Sequence, residues 1–462
     1  MDDTRQKTLM KRASLAEHKG EALSADERGI EASSAESDTE SLAREGGLME
    51  RVCERENLKR ALARVKRNKG AAGIDRMTVG ELSVHLKAHW PVIREQLLAG
   101  QYQPQPVRRV EIDKPGGGGK RKLGIPCVLD RFIQQALLQV LEPIYEPTFS
   151  EFSFGFRPQR SARQAVALAQ TYIVEGRRWV VDLDLEKFFD RVNHDLLMDR
   201  IAKRVSDKRI LALIRRYLQA GVLAEGLVEA TPEGTPQGGP LSPLLSNILL
   251  TDLDRMLEKR GHRFVRYADD SNIYVASERA GRRVKENVTR FLHSHLKLKV
   301  NEAKSAVAQP WQRKFLGFSF TSQAQPRRTI APQARARFKQ RVRELTFRTD
   351  GRALDETIQR LARYLEGWRG HFGFCETITT LRNLDGWIRR RLRSIVWKQW
   401  KRGRRRFAEL RRRGVGRELA ACTAGSAHGP WHLANSPALT QALPSKFFAS
   451  LGLPSLYAQP VA

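Results

Sequence analysis

Hydrophobic positions along the chain change their spacing several times, and each change marks a predicted element. Apolar residues three or four apart begin near Leu58, Leu62 and Val65, and the pattern breaks at Lys69-Gly70-Ala71-Ala72-Gly73, a glycine-punctuated loop. Val110-Glu111-Ile112 and Leu123-Gly124-Ile125 flank Lys114-Pro115-Gly116-Gly117-Gly118-Gly119-Lys120-Arg121-Lys122, which predicts a mobile basic hairpin. Helical spacing returns over about 130–145 and 161–175. Trp179-Val180-Val181-Asp182-Leu183-Asp184 then reads as a strand ending in a carboxylate. Helices follow around 194–220 and 241–258, and Phe264-Val265 and Ile273-Tyr274-Val275 enclose a hairpin tip at Tyr267-Ala268-Asp269-Asp270. From about residue 331 the strand signal fades, and amphipathic helices are expected near 332–348, 354–370 and 376–402. Strands and helices mixed without regular alternation indicate an α+β fold. Residues 1–47 carry Ala, Ser, Glu and Arg without apolar periodicity and read as a disordered tail, because they cannot bury enough surface to offset ordering entropy.

Composition narrows the class of partner. The formal net charge of the 462 residues is +31 and the pI is near 10.5, which points to a polyanion, with nucleic acid the default. Nowhere do 18 apolar residues run together, no N-terminal leader pattern is present, and the basic residues lie in folded-looking regions, so no membrane role is expected. Four scattered cysteines, Cys53, Cys127, Cys375 and Cys422, form no C-x-x-C pair, which argues against a zinc ribbon or disulfide framework and for a reducing cytoplasm. The helix near 376–402 has apolar Leu381, Leu384, Ile388, Leu392 and Ile395 on one side. Its other faces hold Arg389, Arg390, Arg391, Arg393, Lys398, Lys401 and Arg402, nearly single-signed, which predicts nucleic-acid contact over a merely solvated face. Trp387, Trp397 and Trp400 lie among these cations, and core packing is their expected role.

Candidate chemistry centres on acids. Asp269 and Asp270 share a hairpin tip, and Asp184 ends a separate strand. Two carboxylates about 4 Å apart repel by roughly 4 kcal/mol at an effective dielectric near 20. Divalent cations remove that penalty, and a two-metal phosphoryl-transfer site is the reading favoured over a plain Asp-Asp turn. Asp182, two residues before Asp184, points to the same strand face, where a bond to a cation or backbone is expected of it rather than metal ligation.

Taken in order, these segments resemble a known family. Asp184-Leu185-Glu186-Lys187-Phe188-Phe189-Asp190, Thr235-Pro236-Gln237-Gly238-Gly239-Pro240-Leu241-Ser242-Pro243-Leu244-Leu245 and Tyr267-Ala268-Asp269-Asp270 are similar to the palm motifs of reverse transcriptases encoded within bacterial group II introns. Phe156-Arg157-Pro158 with Ser161-Ala162, Asn301-Glu302-Ala303-Lys304-Ser305 and Phe315-Leu316-Gly317-Phe318 add to the series, and the resemblance covers about residues 48–455. It implies a right-hand polymerase, with fingers and palm built on antiparallel sheet over 48–325. A helical thumb or maturase domain over 326–415 and a short DNA-binding-like tail over 416–462 would follow. Two Mg²⁺ ions would be held by Asp184, the Leu185 carbonyl and Asp269, with Asp270 in support. Phe189 would exclude a 2′-hydroxyl, Gln237 would line the nucleotide pocket, and Lys114 and Arg121 would grip the triphosphate. Lys304 is similar to a lysine proposed to protonate pyrophosphate; a plain phosphate contact or a surface lysine stays open beside that role. Implied partners are group II intron RNA, target DNA with its primer, and dNTPs, with a homodimer admitted. The implied location is the cytoplasm, at the nucleoid when bound to DNA. Because paired cysteines and clustered histidines are missing after residue 430, no HNH nuclease is expected. A splicing-only maturase and a domesticated reverse transcriptase are the alternatives.

Overall fold

The computed structural model describes residues 47–113, 119–224, 227–229, 233–235, 238–347 and 351–457. The expected N-terminal tail and the tetraglycine segment lie largely outside the described residues, as do Lys114 and Gln237. In chain order the first elements are helices α1 (Leu48–Val52), α2 (Arg55–Asn68) and α3 (Leu82–Leu98), strands β1 (Val107–Asp113) and β2 (Lys120–Ile125), helices α4 (Val128–Tyr145) and α5 (Ala162–Val174), and strand β3 (Trp179–Leu183). Then come helices α6 (His194–Ala202) and α7 (Lys208–Gln219), strands β4 (Val222–Ala224) and β5 (Leu227–Glu229), helix α8 (Ser242–Lys259), strands β6 (Arg263–Tyr267) and β7 (Asp270–Val275), helix α9 (Glu278–Leu296), and strands β8 (Ala306–Ala308), β9 (Phe318–Phe320) and β10 (Arg328–Ile330). Helices α10 (Pro332–Leu345), α11 (Leu354–Phe372), α12 (Ile378–Gln399), α13 (Gly403–Arg412), α14 (Arg417–Gly425), α15 (Pro430–Leu433), α16 (Pro437–Ala442) and α17 (Ser445–Ser450) complete the chain.

These elements fall into two compact units. The first gathers residues up to 113, 119–150 and 187–252. Its sheet has the order β2-β1-β4-β5; β1 runs antiparallel to β2 and parallel to β4. Helix α4 is buried on most faces, through Val128, Phe132, Ile133, Leu137, Leu141 and Ile144. The stretch expected as one helix over 194–220 is two, because Asp207 caps a new start by accepting from the Arg209 backbone N–H at 3.0 Å.

The second unit holds 151–186 and 253 onward. Its main sheet, β6-β7-β3-β8, is antiparallel throughout. Beneath it α5 starts with a capping box: the Ser161 hydroxyl accepts from the Gln164 N–H, and the Gln164 side chain accepts from the Ser161 N–H at 2.7 Å. One continuous apolar cluster runs from Val166, Val180 and Val265 through Phe318 and Phe338 to Leu365, Leu392 and Trp397, and on to Leu439 and Phe448. Trp397 and Trp400 are buried, as their helical spacing predicted. Helix α9 was not anticipated in the sequence, although Val284, Val288, Leu292 and Leu296 recur every fourth residue and are buried.

Candidate active site

The acids meet because two strands carry them to one end of the same sheet. Leu183 pairs with Ser271 and Asp182 with Asn272, so the register, carried one step further, sets Asp184 opposite Asp270. Tyr267 pairs with Asp270, which leaves Ala268-Asp269 as a two-residue turn, with Ala268 in the left-handed region at φ 58°. Leu185 is bridged to Val300, but the bonds of that bridge run from Asn301 N–H to the Asp184 carbonyl and from Glu186 N–H to the Lys299 carbonyl, each 2.8 Å. In such a non-hydrogen-bonded pair the carbonyl of Leu185 points away from Val300, toward the side where β7 lies.

A buried framework holds the turn. Arg266 and Asp254 are both fully buried; the guanidinium donates to the two carboxylate oxygens at 2.7 and 2.6 Å and to the Ala268 carbonyl at 2.9 Å. Breaking such a pair costs about 3–5 kcal/mol, since the survivor is a charge buried alone. From the other side Gly155 lies against the turn so closely that a Cβ there would stand 2.2 Å from the Ala268 nitrogen. Phe154 N–H donates to the Arg266 carbonyl, and Arg266 N–H to the Phe152 carbonyl, both at 2.9 Å, so the segment before Phe156-Arg157-Pro158 is laid along β6.

The electrostatics are those of crowded acids. The Asp270 carboxyl is pushed up to about 7, first by surrounding protein that thins its hydration and then by the charges of Asp269, Asp182 and Asp184, although the residue keeps an exposed edge. Burial raises the Asp182 carboxyl too, and Arg313 opposes that shift. Asp182 has the expected cationic partner: Arg313 bonds it at 2.6 and 2.8 Å and also donates to the Lys304 carbonyl at 2.5 Å. Asn272, with its amide turned to satisfy its neighbours, donates to the other Asp182 oxygen at 3.1 Å. Lys304 Nζ stands 3.3 Å from Asp184 Oδ2, and Ser305 Oγ accepts from the Asp184 N–H at 2.9 Å. Arg313, Arg266, Asp254, Asn272 and Gly155 were not singled out in the sequence. Only their distance to the acids marks them, and that is a property of the fold.

Among the described residues no three His, Cys, Asp or Glu side chains close into a preformed cage. Mg²⁺ in phosphoryl-transfer sites seldom has one; it is typically bound by one or two carboxylates, water and substrate phosphates. The oxygen-only donors and the raised proton affinity of Asp270 fit such a hard divalent cation.

Other expected site residues belong to the first unit. Phe188 is buried in the core, while Phe189, packed edge-on to it at 5.2 Å, lines a cavity of about 440 Å³ with Arg109, Lys122, Gly124, Arg191 and Thr235. Thr235 N–H donates to the Phe189 carbonyl at 2.6 Å, and His194 meets the Gly234 carbonyl at 2.6 Å, which fastens the segment before Gln237 to the Phe189 turn. Gly238, at φ 134°, comes so near the Gly124 carbonyl that a Cβ would lie 2.6 Å from it. The backbone of Arg121 sits in β2, opposite Ile112.

The basic helix α12 divides. Lys398 is exposed near its end, and Lys401 and Arg402 are exposed just after it. Arg390 donates to the Trp431 carbonyl at 3.0 Å and lies over that ring, Arg391 donates to Thr346 Oγ1 at 2.8 Å, and Arg389 stands 4.0 Å from Asp385. For Arg393 the expectation of nucleic-acid contact needs correcting: it is buried and donates to the Leu443 carbonyl at 3.1 Å, because the segment after α13 packs over that helix face.

Comparison with known proteins agrees with this architecture. The family described as reverse transcriptase (RNA-dependent DNA polymerase) matches residues 112–320, and the group II intron maturase-specific domain matches 335–414. Protein YkfC of Escherichia coli is 38% identical over 42% of this chain and 52% of its own length. The group II intron-encoded protein LtrA of Lactococcus lactis is 33% identical over 49% of this chain and 48% of its own. The chain thus spans about half the length of the curated relatives it matches. It carries a reverse-transcriptase match followed by a group II intron maturase match, and it is homologous to the group II intron-encoded proteins over the matched part.

Proposed function

We propose that the protein is an RNA-directed DNA polymerase and maturase of a group II intron, which binds the intron RNA to assist splicing and copies it into DNA during mobility. The observation that carries the polymerase reading is the joint presentation of Asp184, Asp269 and Asp270 at one sheet end, with the Leu185 carbonyl turned to the same side. Asp184, Asp269 and that carbonyl would hold two Mg²⁺ ions, with Asp270 in support; when bound, such ions stabilise the attacking and leaving oxygens of an in-line phosphoryl transfer. Lys304 neutralises Asp184 before an ion arrives and is placed to meet the pyrophosphate afterwards, as a proton donor or phosphate contact. Phe189, which lines its cavity, would reject a 2′-hydroxyl, and Arg121, Lys114 and Gln237 would contact the incoming dNTP on the family resemblance alone. We read 48–325 as fingers and palm, 326–415 as thumb, and 416–462 as a short tail. Lys398, Lys401 and Arg402 are the part of the α12 cluster left to meet RNA or the template–primer duplex, with Arg389 and Arg390 at its edge.

Primer extension on an RNA template with Mg²⁺ tests the reading. The wild-type chain should incorporate dNTPs, and Asp269→Asn should lose synthesis while keeping RNA binding. A wild-type protein that aids splicing without incorporating any dNTP would replace this reading with that of a splicing-only maturase.

A further inference from the structure

Helix α9 and the segment that returns from it line an open cleft of about 710 Å³ outside the cluster of Asp184, Asp269 and Asp270. Arg282, Lys285, Arg290 and His293 line it from the helix together with the acid Glu286, and Lys299 and Glu302 line it from the returning segment, so cations outnumber acids. Arg282 is paired with Glu278 and Lys285 with Glu302. Arg290, His293 and Lys299 form no ion pair with another described residue, and all three are exposed.

Positions 282, 286, 290 and 293 follow one helix face. The rise from Arg282 to His293, eleven residues further along the helix, is about 16 Å, enough to follow several successive phosphates of one strand. The apolar residues Val284, Val288, Leu292 and Leu296 all turn into the core, so α9 offers no apolar strip to a bilayer. The far wall of the cleft, through Lys299 and Asn301, is hydrogen-bonded to the backbone at Glu186 and Asp184.

We propose that this cleft binds the phosphodiester backbone of RNA, on a different element from the basic residues that end α12. The proposal rests on the nucleic-acid reading above for its choice of polyanion. The probe is a labelled RNA hairpin, titrated with full-length protein over a series of KCl concentrations at pH 7. In an Arg290→Gln, His293→Gln, Lys299→Gln variant, the slope of log affinity against log salt should shrink by about 1.5, the share of two phosphate contacts. Primer extension on a short template–primer should be unchanged. In the wild type, photo-crosslinking should mark peptides within 282–299. An unaltered slope together with no crosslink in that region overturns the proposal while leaving the polymerase reading intact. A reduced slope in a protein whose wild type makes no DNA supports the cleft and sinks the polymerase reading alone.

Discussion

Lys304 illustrates what one side chain does before any ligand arrives. Its ammonium lies 3.3 Å from Asp184 and its own carbonyl is held by Arg313, itself fixed on Asp182. On the proposed reading, a lysine in that place would compete with a cation for Asp184 and be available to phosphate once displaced. Lys304→Gln should therefore lower the half-saturating Mg²⁺ concentration while reducing kcat by about 10²-fold, as for loss of a general acid; a surface lysine would move neither. Phe189→Val should raise rNTP incorporation relative to dNTP, read by competition in primer extension, because the ring lines the cavity and Phe188 is the one in the core. Asp184, Asp269 and Asp270 were legible in the sequence because each sits in a short contiguous motif at a strand end. Arg313 and Asp254 were not, since each meets its partner only after distant segments fold. The inward bonds of Arg391 and Arg393 were hidden for the same reason: a run of arginines reads alike whether it faces water or the oxygens of neighbouring segments.

At the scale of elements, the β6–β7 hairpin depends on what lies on either side of its turn. Gly155→Ala would drive a methyl into the Ala268 nitrogen, 2.2 Å away, and the turn bearing Asp269 must shift. A displacement near 1 Å in a positioned catalytic group can cost about 10²-fold in rate. Synthesis should fall by that order while RNA binding stays, and full synthesis by the G155A variant would remove Gly155 from the positioning of the turn. The hairpin itself was legible from alternating apolar residues around two acids. Helix α9 was not recognised, because arginines and lysines crowd its four-residue apolar repeat, and the expected long helix over 194–220 overlooked the cap at Asp207.

For the whole molecule, the division into compact units does not follow the linear order of motifs. The first unit is assembled from residues on both sides of β3, so a boundary drawn along the sequence could not reveal it. Its buried Asp130 accepts from Tyr102 Oη at 2.9 Å and from the Gln105 N–H at 3.1 Å, yet burial pushes its carboxyl up to about 6. A carboxyl raised above its unfolded value near 4 supports the folded state fully below that pH, and the support is lost as pH climbs through 6. Thermal melts of wild type and Asp130→Asn should therefore diverge between pH 4 and pH 7, the wild type losing roughly 3 kcal/mol relative to the variant at about 1.4 per pKa unit. Parallel melting curves across that range would mean that Asp130 does not take up a proton on folding.

The stretch from 416 to 457 seals the helical region it covers. Trp431 and Leu443 offer their carbonyls to Arg390 and Arg393, and Ser455 and Leu456 donate to Asp385, while Leu439, Leu443, Phe448 and Leu456 complete the apolar cluster. Cutting the polypeptide after α13 would take away the partners that Arg393 and Asp385 have in place of water and bare the apolar flank of α12. A truncated protein that fails at splicing or copying would then be reporting a melted maturase domain rather than a missing DNA-binding appendage, and point changes on the outer surface of that stretch are the cleaner way to separate the two.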